Sequence, residues 1–231
     1  ATLTRARDEL LVLRGQEALP AGATVWLRGG TYNLTETLAL NGVDSGTSEG
    51  AVVYRAYRRE QPVLVGGAAV TGFVPHRGQI MKADLRAIGL GGVAVSQVFF
   101  NGRRQTLARR PNADPQNPYA GGFFYIAAQP SPGSKTSFQA PPEGIRSWAR
   151  PQEGQVWVFP GVNYWNNIIP IASVDPATRL ITLAQPTSYG LNPGDRYYVR
   201  GLLEELDAPG EWYVDAAAAT LYFWPPGDLA S

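Results

Sequence analysis

After residue 20 the chain is a succession of short apolar runs broken by Gly, Pro, Asn and Asp, a texture that rules out long helices and commits the sequence to strands. With 26 glycines and 19 prolines among 231 residues, turns are plentiful enough to join many short strands. Residues 24–27, 34–40, 51–57 and 62–65 read as strands. They are punctuated by Arg28-Gly29-Gly30, by Asn41-Gly42-Val43-Asp44-Ser45-Gly46 and by Gly66-Gly67. Tight bends without hairpin turns at each step predict a chain that winds into a coil rather than a meander. Val25 and Val53 lie at matching points of successive passes, within the range of solenoid periods.

Residues 2–14 are the exception. Leu3, Ala6, Leu10 and Leu13 recur at helical spacing, with Thr2 placed as N-cap and Gly15 as stop, which predicts a helix covering the start of the coil. From residue 96 the pattern turns to hairpins. Residues 97–100 and 103–107 meet across Asn101-Gly102, residues 168–174 and 180–183 across Asp175-Pro176-Ala177-Thr178, and residues 212–214 and 221–223 across an alanine-rich loop. Further strands are expected at 123–126, 156–159 and 197–199, one helical turn at 202–206, and a long surface loop at 130–142. The expectation is a mainly β chain. Residues 1–95 form a cap helix and the initial coils of a right-handed parallel β-helix, and residues 96–231 an antiparallel β-sandwich or barrel-like accessory domain.

Composition removes several function classes. Twenty basic against 19 acidic residues leave a formal net charge of +1, which argues against a dedicated nucleic-acid binder. The absence of cysteine excludes disulfides, zinc-thiolate sites and a Cys nucleophile, and the single histidine, His76, excludes a multi-His metal site. No stretch is long and apolar enough to span a membrane, and residues 1–14 carry too many charges for a secretion signal.

Several motifs, in order, resemble the β-helix glycoside hydrolases of bacterial carbohydrate metabolism, a group that includes fucosidases and xylanases. The first half contributes Ala1-Thr2-Leu3 to Arg7-Asp8, Val25-Trp26-Leu27-Arg28-Gly29-Gly30-Thr31-Tyr32, Ser45-Gly46-Thr47, Val53-Tyr54-Arg55-Ala56-Tyr57 and Pro62-Val63-Leu64. The second contributes Phe99-Phe100-Asn101-Gly102-Arg103-Arg104, Ala108-Arg109-Arg110-Pro111-Asn112, residues 203–212 and Leu221-Tyr222-Phe223-Trp224-Pro225-Pro226. The resemblance implies the N-terminal portion of a polysaccharide-degrading enzyme, extracellular or periplasmic, with its leader removed or not included. The second half would be a β-rich domain inserted between coils. In that family the acidic catalytic residues lie on later coils, so the resemblance supplies no catalytic position here. The missing coils, or a partner chain, would cover the open end. Ala216–Ala219 departs from the family's polar, glycine-bearing turn. A non-catalytic carbohydrate-binding module and a polysaccharide lyase of the same architecture are the rival readings. The second is weakened by a lysine supply of only Lys82 and Lys135.

Asn163, Tyr164, Trp165 and Asn166, with Asn167, are the candidate sugar binders, because aromatic rings offer a flat apolar face to a pyranose while amides both donate to and accept from hydroxyls. Arg109, within the cluster Arg103, Arg104, Arg109 and Arg110, is the candidate for pairing with a carboxylate-bearing polysaccharide. Glu204, Glu205, Asp207 and Glu211 invite a paired-carboxylate reading; Glu204 and Glu205 diverge as neighbours on one helical turn, Glu205 with Asp207 or Glu211 stays open, and an acidic, solvated turn is the simpler expectation. The oxygen-rich loop Asn41, Asp44, Ser45, Thr47 and Glu49 could hold Ca²⁺, but it lacks regular ligand spacing and an ordinary Asx-rich turn is the simpler expectation, so no cofactor is expected.

Overall fold

The computed structural model describes residues 2–16, 22–34 and 36–229. It is mainly β with one α-helix, and it divides into two units, Ala1–Ala69 and Val70–Ser231. The division falls before the expected boundary at 95–96, because Ile80–Asp84 pairs with Thr220–Phe223 and brings Val74–Arg77, its hairpin partner, into the same sheet.

In the first unit, α1 (Leu3–Gly15) starts at Thr2, whose hydroxyl accepts the Arg5 backbone N–H at 3.1 Å, and ends on Gln16. Of the predicted apolar face Leu3 is buried and Ala6 and Leu10 half-buried, and arginines add to its hold. Arg7 donates to the Ala39 carbonyl at 3.1 Å, and Arg14 donates to the Val43 and Ser45 carbonyls, while Leu13 is exposed. Strand β1 (Ala23–Leu27) runs parallel to β3 (Val52–Ala56), and β2 (Gly30–Asn33) parallel to β4 (Pro62–Val65). Val25 pairs with Tyr54 rather than Val53, so the repeat is one residue longer than the sequence match suggests. The second strand of the pass is Gly30–Asn33; of the strand expected at 34–40, residue 35 lies outside the described residues and 36–40 are not strand. Glu60 clamps the bend by accepting from Arg28 Nε at 2.8 Å and from Gly29 N at 2.6 Å. Among the described residues of this unit Leu3 is the one buried apolar side chain, whereas Trp26, Val53, Val63 and Leu64 are exposed.

Among its described residues the second unit holds two larger open sheets and a separate two-stranded hairpin. The five-stranded sheet runs β5 (Val74–Arg77), β6 (Ile80–Asp84), β18 (Thr220–Phe223), β17 (Glu211–Asp215) and β9 (Thr106–Leu107). β7 (Phe99–Phe100) and β8 (Arg103–Arg104) form the predicted hairpin, with both Asn101 and Gly102 at positive φ as a two-residue primed turn requires. The larger sheet follows the order β10 (Arg109–Arg110), β16 (Arg196–Arg200), β13 (Gln155–Val158), β14 (Asn167–Asp175), β15 (Leu180–Leu183) and β12 (Ser137–Gln139). β11 (Phe124–Tyr125) is also paired to β16, making seven strands. Neither path returns to its first strand, so the barrel alternative is overturned. β12 also corrects the expected loop at 130–142: Phe138 is fully buried, edge-on to Tyr197 at 4.7 Å.

The other two hairpins share one device. Asp175 accepts from Ala177 N and the Thr178 hydroxyl, and Asp215 accepts from Ala218 N. Each turn then closes on a residue at positive φ, Arg179 and Ala219 respectively. The alanine-rich turn therefore holds through Asp215, with Arg86 donating to the Ala217 and Ala218 carbonyls.

The main core gathers Phe138, Val156, Val158, Ile171, Ile181, Tyr197 and Val199. Truncating Phe138→Ala is expected to cost about 3–5 kcal/mol, whereas Val63→Ala, on an exposed strand, costs about 0.5 kcal/mol or less. Urea unfolding followed by near-UV circular dichroism checks both.

Candidate functional site

Strand β16 organises the site. Alternation sends Tyr197 and Val199 into the core and Arg196, Tyr198 and Arg200 to the opposite face. Its neighbours add Trp157 opposite Tyr198, Gln155 opposite Arg200, and Arg109 directly opposite Arg200 on the other side. The rings and guanidiniums interleave. Trp157 stacks with Phe159 at an interplanar angle of 13°, and Phe123 lies edge-on to Phe159 at 5.9 Å. Arg109 lies 3.5 Å over Tyr198, Arg196 4.2 Å over Phe159, and Arg200 5.0 Å over Trp157.

Arg196 also joins two loops, donating to the Tyr119 carbonyl and, at 3.3 Å, to the Asn163 carbonyl. Buried Asp195 fixes the start of the second loop by accepting Gly161 N at 3.0 Å, together with Asn192 N at 2.8 Å. Asn167 closes the other end through a reciprocal pair with Ser188. The loop so held presents Tyr164, 72% exposed, and Trp165, 51% exposed. Tyr119, Tyr125 and Tyr189 are exposed as well, and Tyr125 is the cross-strand partner of Arg196.

Of the residues singled out from the sequence, Tyr164, Trp165 and Asn166 stand in the open. Asn163 is spent on the loop itself: it sits at positive φ, and its side-chain oxygen accepts Arg196 N at 3.5 Å. Arg109 reaches the same face, because Phe123 lies within 5.6 Å of Arg109 and 5.0 Å of Arg196. Its Nε donates to the Pro111 carbonyl at 2.9 Å and its Nη2 to the Gly122 carbonyl, so it ties down the loop between those residues. Arg110 points to the other side, lying over Phe124 and donating to the Glu143 carbonyl. Arg196, Asp195, Tyr119, Tyr125 and Tyr189 went unnoticed in the sequence. The alternation of Arg196, Tyr198 and Arg200 was the signal that marked one face.

The acidic cluster is solvated only in part: Asp207 is exposed and Glu204 half-buried, whereas Glu205 and Glu211 are buried. Glu205 is fully buried, with Trp148 Nε1 donating to one oxygen at 2.5 Å. Arg146 stands 3.0 Å from the other oxygen but directs a hydrogen to the Glu204 carbonyl, so the second contact is one of charge. Burial raises the Glu205 carboxyl above the usual range. Glu211, also buried, accepts the backbone N–H groups of Arg109, Asp207 and Ala208, and burial pushes it up to about 7. Neither carboxyl meets solvent, so neither can reach a glycosidic bond. Both fasten the 203–211 turn to the sheets.

A depression of about 70 Å³ beside this turn is lined by Arg150, Glu153, Glu204 and Tyr213, whose polar groups largely satisfy one another. Among the described residues no three Asp, Glu or His side chains gather as metal ligands. The 41–49 loop spends Asn41, Asp44 and Thr47 on backbone N–H groups. His76 lies edge-on to Tyr222. No helix among the described residues is long and apolar enough to cross a membrane.

No family model and no curated protein sequence matches the chain. A solved structure described as a glycoside hydrolase is similar over 97% of this chain, with a TM-score of 0.78 and 24% identity. The chain spans 40% of that protein's length. This likeness is one of fold, and it runs through both units.

Glu211 gives a pH dependence of definite sign. Its folded-state pKa lies above the unfolded value, so its contribution is intact below about 4.5 and is lost as pH rises toward 7, by up to about 3 kcal/mol. Urea midpoints are expected to fall between pH 5 and pH 7.5. Glu211→Gln should flatten that slope while costing about 1–3 kcal/mol at pH 5, since an amide NH₂ then faces backbone donors.

Proposed function

We propose that this chain is the N-terminal portion of a polysaccharide-degrading glycoside hydrolase, with the first unit starting a right-handed parallel β-helix and the second bordering the substrate groove. The observation that carries the reading is the fold likeness to a glycoside hydrolase along nearly the whole chain. The parallel pairs β1–β3 and β2–β4 support the coil, since each solenoid pass needs a neighbour to cover its apolar side. Exposed Val53 on β3, with Val63, Leu64 and Val65 on β4, would be covered by further coils or by a partner chain. The paired carboxylates of hydrolysis would lie on those coils. Such an enzyme would work outside the cytoplasm, where its polymer is found.

The sugar-facing part is the platform of Trp165 and Tyr164, with Asn166 beside them. Two exposed rings on a loop anchored at both ends match what stacking on a pyranose needs: apolar area with little freedom left to lose. The same platform supports the second reading, a module that binds carbohydrate without cleaving it.

Affinity electrophoresis through xylan tests the binding. Trp165→Ala is expected to weaken retardation at least about tenfold while near-UV dichroism stays that of the parent. Unchanged retardation would remove Trp165 from the site. The chain alone is expected to release no sugar from fucosides or xylans, and robust turnover would place the chemistry within these residues.

A further inference from the structure

Among the described residues the face around β16 carries guanidiniums that no carboxylate ion-pairs with. Arg109 and Arg200 are directly opposite each other across β10 and β16, a placement in which like charges destabilise a sheet. Arg196 stands four residues back along β16 on the same side, and exposed Arg104 is close enough to oppose the charge of Arg200. Among the described residues none of these four arginines is ion-paired with a carboxylate. Arg200 is held by a neutral partner, Gln155, whose side-chain oxygen accepts from Nε at 3.0 Å and Nη2 at 2.8 Å. Two further donors on this face, Trp157 Nε1 and Arg196 Nε, are buried without an acceptor from the protein.

The rings explain how the guanidiniums are kept flat and in place, but not why the fold sets arginines against each other when 19 acidic residues were available elsewhere. A local rule broken without compensation points to function. Arginine is the side chain suited to oxyanions, through its planar fork of donors, and the half-exposed aromatics between the guanidiniums suit sugar rings.

We infer that the outward face of β16, through Arg200, Arg104, Arg109 and Arg196, binds the acidic groups of a polyanionic polysaccharide. This rests on the carbohydrate reading above and names its substrate class. The ligand chemistry is a sugar polymer bearing carboxylate or sulfate groups.

Binding is measured on the full chain by titration calorimetry against polygalacturonate, dextran sulfate, unmodified dextran and polyglutamate. An acidic polysaccharide is expected to bind at least about tenfold tighter than dextran and polyglutamate, with affinity falling as salt rises. Whether polygalacturonate or dextran sulfate binds the better decides between carboxylate and sulfate. Arg200→Gln and Arg104→Gln should each weaken the acidic polymer about tenfold, and Arg77→Gln, the same charge change on the other sheet, should not. Arg104 is exposed and outside the ring ladder, so its variant keeps the test open if Arg200→Gln fails to fold. Equal binding of polyglutamate, or parent-like binding by Arg104→Gln, would overturn the inference. Xylan binding that depends on Trp165, with no preference for acidic polymers, would overturn it while leaving the carbohydrate reading in place. Binding to none of these polymers would remove both.

Discussion

Everything that distinguishes the second unit depends on the alternation of one strand. β16 pairs with β10, β11 and β13, so its five residues set what faces inward and outward across half the larger sheet. Inward, Tyr197 and Val199 complete a core with Phe138, Val156 and Ile181. Outward, Arg196, Tyr198 and Arg200 seed the ladder of rings and guanidiniums. A slip of one residue would exchange the two sets, burying three polar residues and exposing the core. The interior therefore fixes the outward site: Tyr197 cannot move without dragging Arg196 and Tyr198 out of register.

A second constraint is the pair of buried carboxyls. Glu205 and Glu211 bracket the turn that leads into β17, and each is held by groups far away in sequence: Trp148 and Arg146 for the first, and Arg109 N, besides nearby Asp207 N and Ala208 N, for the second. Because the Arg109 backbone donates to Glu211 while its guanidinium covers Tyr198, this one residue links the buried turn to the outward face. Buried charge is costly unless bonded on several sides, and here the bonds fix the position of a segment that would otherwise be a loose connection.

Much of the fold was legible where local chemistry decides it. Asn101-Gly102 announced its hairpin, Asp175 marked a second, and the runs around Val156 and Tyr197 became central strands because alternating apolar residues leave few other options. What long-range partners decide was not legible. Phe138 lies in a stretch dense in Pro, Ser and Gly, and only its pairing with β15 reveals a strand. The first-unit register missed by one residue, since Val25 has valines and a tyrosine of similar character to choose among. For the site, the Asn163–Asn167 motif singled out Tyr164 and Trp165, but their exposure was not legible, because a tryptophan in a β chain is as readily a core plug. The posts that hold them, Asp195 and Arg196, become visible only when the strand and the loop are brought together. Ala216–Ala219 looked wrong for its turn because the residue that holds it, Asp215, precedes the stretch.

The central claim is that the end of the sheet where Arg196 meets the 161–167 loop is a surface for sugar. Nitrogen-15 NMR of the six tryptophan indoles tests it most directly, because the side chains serve as separate reporters: Trp165 on the platform, Trp157 within the ladder, and Trp148 and Trp212 in buried positions. On titration with xylo-oligosaccharide or oligogalacturonide, the Trp165 indole resonance is expected to shift in a saturable way while those of Trp148 and Trp212 stay fixed. A bound oligosaccharide that moves other indoles and leaves Trp165 unchanged would contradict the account.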